Sequence, residues 1–122
     1  MTAKILLVDD SGLARRSMRA ILEPAGYQVV EAEDGMSALE LYFLEKPDLV
    51  LLDLVMRGMN GLAVLSKLHE LDREARVVVV SADIQDSSRE LAESGGASGF
   101  VTKPGERAEI LKVIAEVLGA RA

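Results

Sequence analysis

Five short apolar runs, each followed by a stretch of helical period, restrict what this chain can fold into more than any other feature. The runs are Ile5-Leu6-Leu7-Val8, a weaker Tyr27-Gln28-Val29-Val30, Leu49-Val50-Leu51-Leu52, Val77-Val78-Val79-Val80 and the short Gly99-Phe100-Val101-Thr102. Consecutive apolar residues bounded by polar ones suit strands covered on both faces, as in a parallel sheet. A β-α unit repeated along the chain then calls for right-handed crossovers with helices on both faces. The strands are too few and too spread for a closed eight-fold barrel. An α/β fold, an open three-layer sandwich, is expected.

The helices fit the gaps. Ala14, Met18, Ile21, Leu22 and Ala25 keep a 3.6-residue spacing, with Pro24 fraying or kinking the last turn and Gly26 as the stop. Asp34-Gly35 opens a second helix with Met36, Leu39 and Phe43 as its stripe, ended by Pro47. Leu62, Leu65 and Leu68 mark a third, and Ile110, Val113, Ile114, Val117 and Leu118 the last and clearest. Between them, from about Gln85 to Ser94, Leu91 is the single sizeable apolar residue, so that helix should be loosely held.

Size and charge narrow the function. A chain of 122 residues suits one domain with one proper core. No apolar run approaches the ~20 residues that cross a bilayer, and Met1-Thr2-Ala3-Lys4 lacks the features of a signal peptide. The absence of cysteine rules out disulfides and thiolate metal sites and fits the cytoplasm. A net charge of −6 argues against direct nucleic-acid binding, and the single histidine, His69, excludes histidine-based metal clusters.

Ligands of open α/β sheets bind beyond the carboxyl ends of the strands, so the residues just past each strand matter most. Asp9 and Asp10 come after the first, Asp53 after the third, Ser81 after the fourth, and Lys103 with Pro104 after the fifth. Glu31 and Ala32 come after the second, which suits an edge position away from the site. Taken singly, Asp9 or Asp10 reads equally well as a helix cap before Ser11-Gly12, and Asp53 as a loop cap. Ser81 alone reads as a turn residue, and Lys103 as a solvated surface lysine. Together on one rim they mean more. Three carboxylates at close quarters require either a raised pKa or a bound cation, and all-oxygen ligation suits Mg²⁺ or Mn²⁺. Such an ion also neutralises a transferring phosphoryl group. Lys103 can pair with Asp53 and then with a phosphoryl oxygen, and Ser81 can offer its hydroxyl to another.

At these residues the sequence resembles the receiver domain of bacterial two-component response regulators. The resemblance runs from about Lys4 to Gly119 and is carried by Leu7-Val8-Asp9-Asp10, Glu33-Asp34-Gly35, Asp48-Leu49-Val50-Leu51-Leu52-Asp53, Ser81-Ala82 and the stretch from Gly96 to Pro104. It implies a flavodoxin-like (CheY-like) five-stranded parallel sheet of order 2-1-3-4-5, and a single receiver domain, 1–122, with no output domain. By this resemblance Asp53 is the phospho-acceptor. Asp10, Asp53 and the backbone carbonyl of Val55 ligate Mg²⁺, with Mn²⁺ as a substitute, and Asp9 acts through water or by holding the site acidic. Ser81 and Phe100 are the switch pair, and a cis Lys103-Pro104 bond aims Lys103 into the site.

The resemblance further implies a histidine kinase or histidine phosphotransfer protein as phosphoryl donor, with small acyl phosphates as alternatives. A downstream protein would dock on the surface of the fourth helix, fifth strand and fifth helix. The chain would be a cytoplasmic monomer, able to dimerise on phosphorylation. It would be no enzyme beyond accepting and losing its own phosphoryl group. The sequence departs from the family at Met56-Arg57-Gly58-Met59-Asn60-Gly61, where Met-Pro, two residues and Asp-Gly are usual. Gly105 also stands where a bulky apolar residue is common, and Val55 and Asp83 lie where the family controls the hydrolytic water.

Two other classes fail on particular residues. A haloacid-dehalogenase-type phosphatase needs a second Asp two residues after its nucleophile, and Val55 stands there. An FMN carrier needs a phosphate loop after the first strand, where Asp9-Asp10 would repel the phosphate. The remaining rival is a receiver that works as an interaction module independently of phosphorylation, or one cut from a larger regulator.

Overall fold

A computed structural model describes residues 2–54, 60–81, 86–103 and 105–119. The chain alternates β1 (Lys4–Val8), α1 (Gly12–Leu22), β2 (Gln28–Ala32), α2 (Gly35–Glu45), β3 (Leu49–Asp53), α3 (Gly61–Leu71), β4 (Val77–Ser81), α4 (Asp86–Ser94), β5 (Gly99–Thr102) and α5 (Arg107–Gly119). All the strands are parallel, in the order β2-β1-β3-β4-β5. This is the open α/β sheet expected, with order reversing between β1 and β3.

Because strand side chains alternate between faces, each apolar run feeds two cores at once. Leu6, Val8, Val50, Leu52, Val77 and Val79 pack with Ala38, Val64, Leu65, Leu68 and Ala92, under α2, α3 and α4. Ile5, Leu7, Leu49, Leu51, Val78 and Val80 pack on the opposite face with Leu22, Ile110, Ile114 and Val117, under α1 and α5. The helices begin at side-chain caps: Ser11 accepts from the Ala14 N–H, Asp34 from Ser37, and Asn60 from Ala63. His69 ties α3 to the loop after it, with Nδ1 3.2 Å from the Leu65 carbonyl oxygen and Nε2 2.9 Å from that of Ala75.

Several local expectations are corrected. Helix α1 ends at Leu22, before Pro24 rather than through it, because proline has no N–H and its ring would meet the carbonyl one turn back. Ala25 is exposed in the next turn, and Gly26 closes it as the expected glycine stop, with φ +96 and the Gly26 and Tyr27 N–H groups donating back to the Glu23 and Leu22 carbonyls. Strand β2 starts one residue late and runs on through Glu31 and Ala32, which pair in register with Leu7 and Val8. In α2, Met36 (71 %) and Phe43 (58 %) face solvent. Leu39 does pack against the core, half-buried with Leu41 and Tyr42, and the fully buried face is Gly35 and Ala38, because small residues let the helix lie close to the sheet. In α4 the same happens: Leu91 is 58 % exposed while Ala92 is fully buried.

One small alanine therefore anchors the described part of α4 to the core. Replacing Leu91 with Gln should move stability by no more than about 0.5 kcal/mol. Ala92→Leu should destabilise by about 1–3 kcal/mol through overpacking. Denaturant midpoints of the two variants at unchanged m-value check this.

Candidate functional site

The site forms where β1, β3 and β5 end. Asp9 continues the β1–β2 ladder one step past the strand, its N–H donating to the Ala32 carbonyl at 3.2 Å. Its Oδ1 accepts from the Ser11 N–H at 2.9 Å. Neither Asp9 nor Asp10 is the cap of α1, since Ser11 fills that role. Asp53 is the last residue of β3 rather than a loop cap, and only 8 % exposed. The alternation along β3 places it on the α1–α5 side, after Leu49 and Leu51.

Lys103 comes off the end of β5 with its backbone N–H held by the Ser81 carbonyl at 2.7 Å. From there its side chain crosses β4, and Nζ donates to Asp53 Oδ2 at 3.1 Å and to Asp9 Oδ2 at 3.0 Å. It is a buried-site cation, not a solvated surface lysine. Burial by itself pushes the Lys103 ammonium down. The hydrogen bonds and charges of Asp9 and Asp53 together outweigh that and raise it above its ordinary value. A small cavity of about 30 Å³ lies beneath these groups, with Leu7, Met18, Leu51 and Val80 in its lining, so the charges rest on an apolar floor.

Carboxylate oxygens of Asp9, Asp10 and Asp53 lie within 4.8 Å of one another. At such separations two carboxylates repel by about 3–4 kcal/mol at an effective dielectric of about 20. Among the described residues, one ammonium hydrogen-bonded to this trio leaves the cluster negative. Its donor set, all carboxylate oxygen, fits a hard divalent cation.

Ser81 is fully buried as the last residue of β4. In register with Thr102, it starts from the α3–α4 side of the sheet, opposite to Asp53. Phe100 is half-buried and packs against that same core, so Ser81 and Phe100 share a face. Beyond Phe100 a groove of about 380 Å³ opens between β5 and α5. Val55, the Arg57-Gly58 loop, Asp83 and Pro104 lie outside the described residues.

Three contributors were not singled out from the sequence. A Cβ on Gly61 would stand 2.4 Å from the Asp53 carbonyl oxygen and 2.5 Å from Leu54 Cα, so α3 approaches the end of β3 as only glycine permits. The Gly61 N–H also donates to the Leu54 carbonyl at 2.9 Å. The Asn-Gly pair at a helix start was the available signal. Arg15 and Glu31 form an ion pair at 2.8 Å between α1 and β2, and nothing in their spacing announces it.

Comparison with known proteins gives a consistent match. Residues 5–115 fit the family described as response regulator receiver domain. The chain is 36 % identical to the chemotaxis protein CheY of Halobacterium salinarum over 98 % of this chain and 100 % of that one. It is 34 % identical to the sporulation initiation phosphotransferase F of Bacillus subtilis over 97 % and 95 %. Among solved structures, the CheX-CheY-BeF3-Mg+2 complex from Borrelia burgdorferi matches with a TM-score of 0.90 and 31 % identity, over 94 % of this chain and 88 % of that one.

Two outcomes test the geometry. Without divalent cation at pH 7, Lys103→Met should lose about 1–3 kcal/mol of stability, because the buried carboxylates lose the cation that bridges them. The Lys103 pKa is raised on folding, so its contribution is complete below the ordinary 10.5 and fades as pH rises through the folded value. The two stability curves should therefore converge in strong alkali, as chemical denaturation at a series of pH values would record. Gly61→Ala should lower stability and cation affinity together, because the end of β3 must move; calorimetric titration would reveal both.

Proposed function

The chain belongs to the response regulator receiver family, and from that premise we propose that Asp53 accepts a phosphoryl group from a phosphohistidine on a partner kinase or phosphotransfer protein. One observation carries the reading: a buried strand-end carboxylate shares the ammonium of Lys103 with Asp9 and has Asp10 beside it. That combination sets a carboxylate nucleophile against a fixed positive charge and next to groups that favour a cation.

A carboxylate oxygen of Asp53 attacks phosphorus in line with the phosphoramidate bond. The new P–O bond forms as the P–N bond breaks, and the histidine leaves with its electron pair and takes up a proton. Lys103, already hydrogen-bonded to Asp53 Oδ2, remains against the acceptor and meets the charge on the phosphoryl oxygens. Asp9 keeps Lys103 aimed there through its other carboxylate contact. Asp10 and Asp53 are the residues that would hold Mg²⁺, with Asp9 acting from behind. When bound, the cation supplies charge neutralisation to the phosphoryl oxygens. Support for this ion comes from the all-carboxylate donor set and from the similar Borrelia burgdorferi protein, whose complex contains Mg²⁺ and beryllofluoride.

The switch in this reading runs from Ser81 to Phe100. A phosphoryl oxygen draws the Ser81 hydroxyl toward Asp53, and Phe100, on the same face, moves into the space released. The α4-β5-α5 surface changes with it, and a downstream protein reads that change. The small Ala92 as the buried anchor of the described part of α4 suits a mobile element. A bias of about 5.5 kcal/mol would take such a switch from 1:99 to 99:1. The chain does no chemistry beyond gaining and losing its own phosphoryl group, and the setting is the cytoplasm; no described helix is long and apolar enough to cross a membrane.

Incubation with Mg²⁺ and acetyl phosphate should add the mass of one phosphoryl group to the wild-type chain. Asp53→Asn should show no such addition, and wild type treated with beryllofluoride should shift its α4-β5-α5 resonances. A wild type that gains no mass and does not respond to beryllofluoride would leave the phosphorylation-independent interaction module as the better account.

A further inference from the structure

We infer that Arg15 is a positioning residue for the acidic cluster, setting its cation affinity by holding the Asp9–Asp10 peptide in place. This rests on the cation-assisted reading above and adds to it a residue outside the strand-end rim. Arg15 Nη1 donates to the Asp9 carbonyl oxygen at 2.6 Å, and its Nε donates to Glu31 Oε1 at 2.8 Å. The second Glu31 oxygen is taken by Arg19 Nη1, and Arg19 also pairs with Glu23 at 3.2 Å. Two arginines of α1 are thus locked onto one carboxylate of β2.

The Asp9 carbonyl oxygen lies in the same rigid plane as the Asp10 N–H and fixes the direction of the Asp10 Cα. Past Val8 the strand has ended, and the Asp9 N–H makes the last contact with β2. The Asp9 carboxylate is anchored separately, by the Ser11 N–H and Lys103. Asp10 follows that peptide, so the direction of its Cα, and with it the start of its side chain, shifts when the plane turns. Arg15 turns it, and Glu31 keeps the guanidinium fork from swinging away. A planar fork presents its donors in fixed relative directions, whereas an ammonium carries rotatable donors on a flexible stem. Residues that orient ligands in this way commonly change metal affinity 10–100-fold when replaced.

The geometric role and a purely electrostatic one make opposite forecasts. Arg15 carries positive charge near a cation site, so charge removal alone would tighten binding. Mg²⁺ affinity of the unphosphorylated chain, measured by calorimetric titration with Mn²⁺ relaxation as a second probe, separates them. We expect Arg15→Gln and Arg15→Lys each to bind Mg²⁺ about 10-fold more weakly, with Glu31→Gln weakened less. Exposed Arg16→Gln, the same charge change on the same helix, should bind no more weakly than wild type. Far-ultraviolet spectra and melting curves confirm that each variant is folded at the titration temperature, and Arg15→Lys serves where Arg15→Gln is not. Arg15 variants that bind Mg²⁺ as wild type does, or more tightly, would overturn the inference while leaving the phospho-acceptor reading standing. A wild type that binds no Mg²⁺ would overturn both.

Discussion

One ammonium group shared by two buried carboxylates underlies everything else at this rim. Lys103 reaches from the end of β5 across β4 to Asp53 on β3 and Asp9 beyond β1, so it joins three strands of the sheet through charge. Without it, Asp9 and Asp53 would lose the ammonium that bridges them above an apolar floor. With it, the cluster is tolerable yet still negative, because Asp10 completes a trio that one cation cannot balance. Stability and function pull on the same atoms here. A fold built only for stability would replace such a cluster with apolar side chains.

The architecture serves that cluster by bringing backbones close and holding them. Parallel pairing aligns the carboxyl ends of β1, β3 and β4, so residues far apart in sequence end at one level. Gly61 lets α3 press against the Asp53 backbone, and the Arg15–Glu31 pair draws α1 onto β2 beside the Asp9 carbonyl. Lys103 is itself anchored through its N–H to Ser81. Ser81 thus touches the site through its main chain, while its side chain starts from the face that also carries Phe100. A backbone link thus joins the end of β4 to the lysine of the acidic cluster.

Much of the fold could be read from the chain because buried parallel strands leave an unmistakable record. Val77 to Val80 can satisfy two cores only as a strand, and the same holds for Leu49 to Leu52. The helices were legible in number and less so in orientation. In α2 the large residues Met36 and Phe43 stand out in the sequence, yet the face against the sheet is Gly35 and Ala38. In α4 Leu91 stands out, yet it is exposed and its neighbour Ala92 is buried. Periodicity counts apolar bulk, whereas close helix–sheet packing selects small side chains. Gly26 is the helix stop it looks like, with a left-handed φ and N–H groups turned back onto the last carbonyls, while Pro24 ends the regular ladder before it.

The alternation of strand and helix, the rim of Asp9, Asp10, Asp53, Ser81 and Lys103, and the family they indicate were all determined by the sequence alone. Local pattern is sufficient for these, since each strand carries its polar residue at its own end. Only the tertiary structure decided which groups touch: that Lys103 divides itself between Asp9 and Asp53, that Ser81 and Asp53 leave opposite faces, and that Arg15 grips the Asp9 carbonyl. Those contacts join elements whose separation in space no periodicity encodes. They are set by strand order, by the register of parallel pairing, and by how closely a glycine lets two backbones approach.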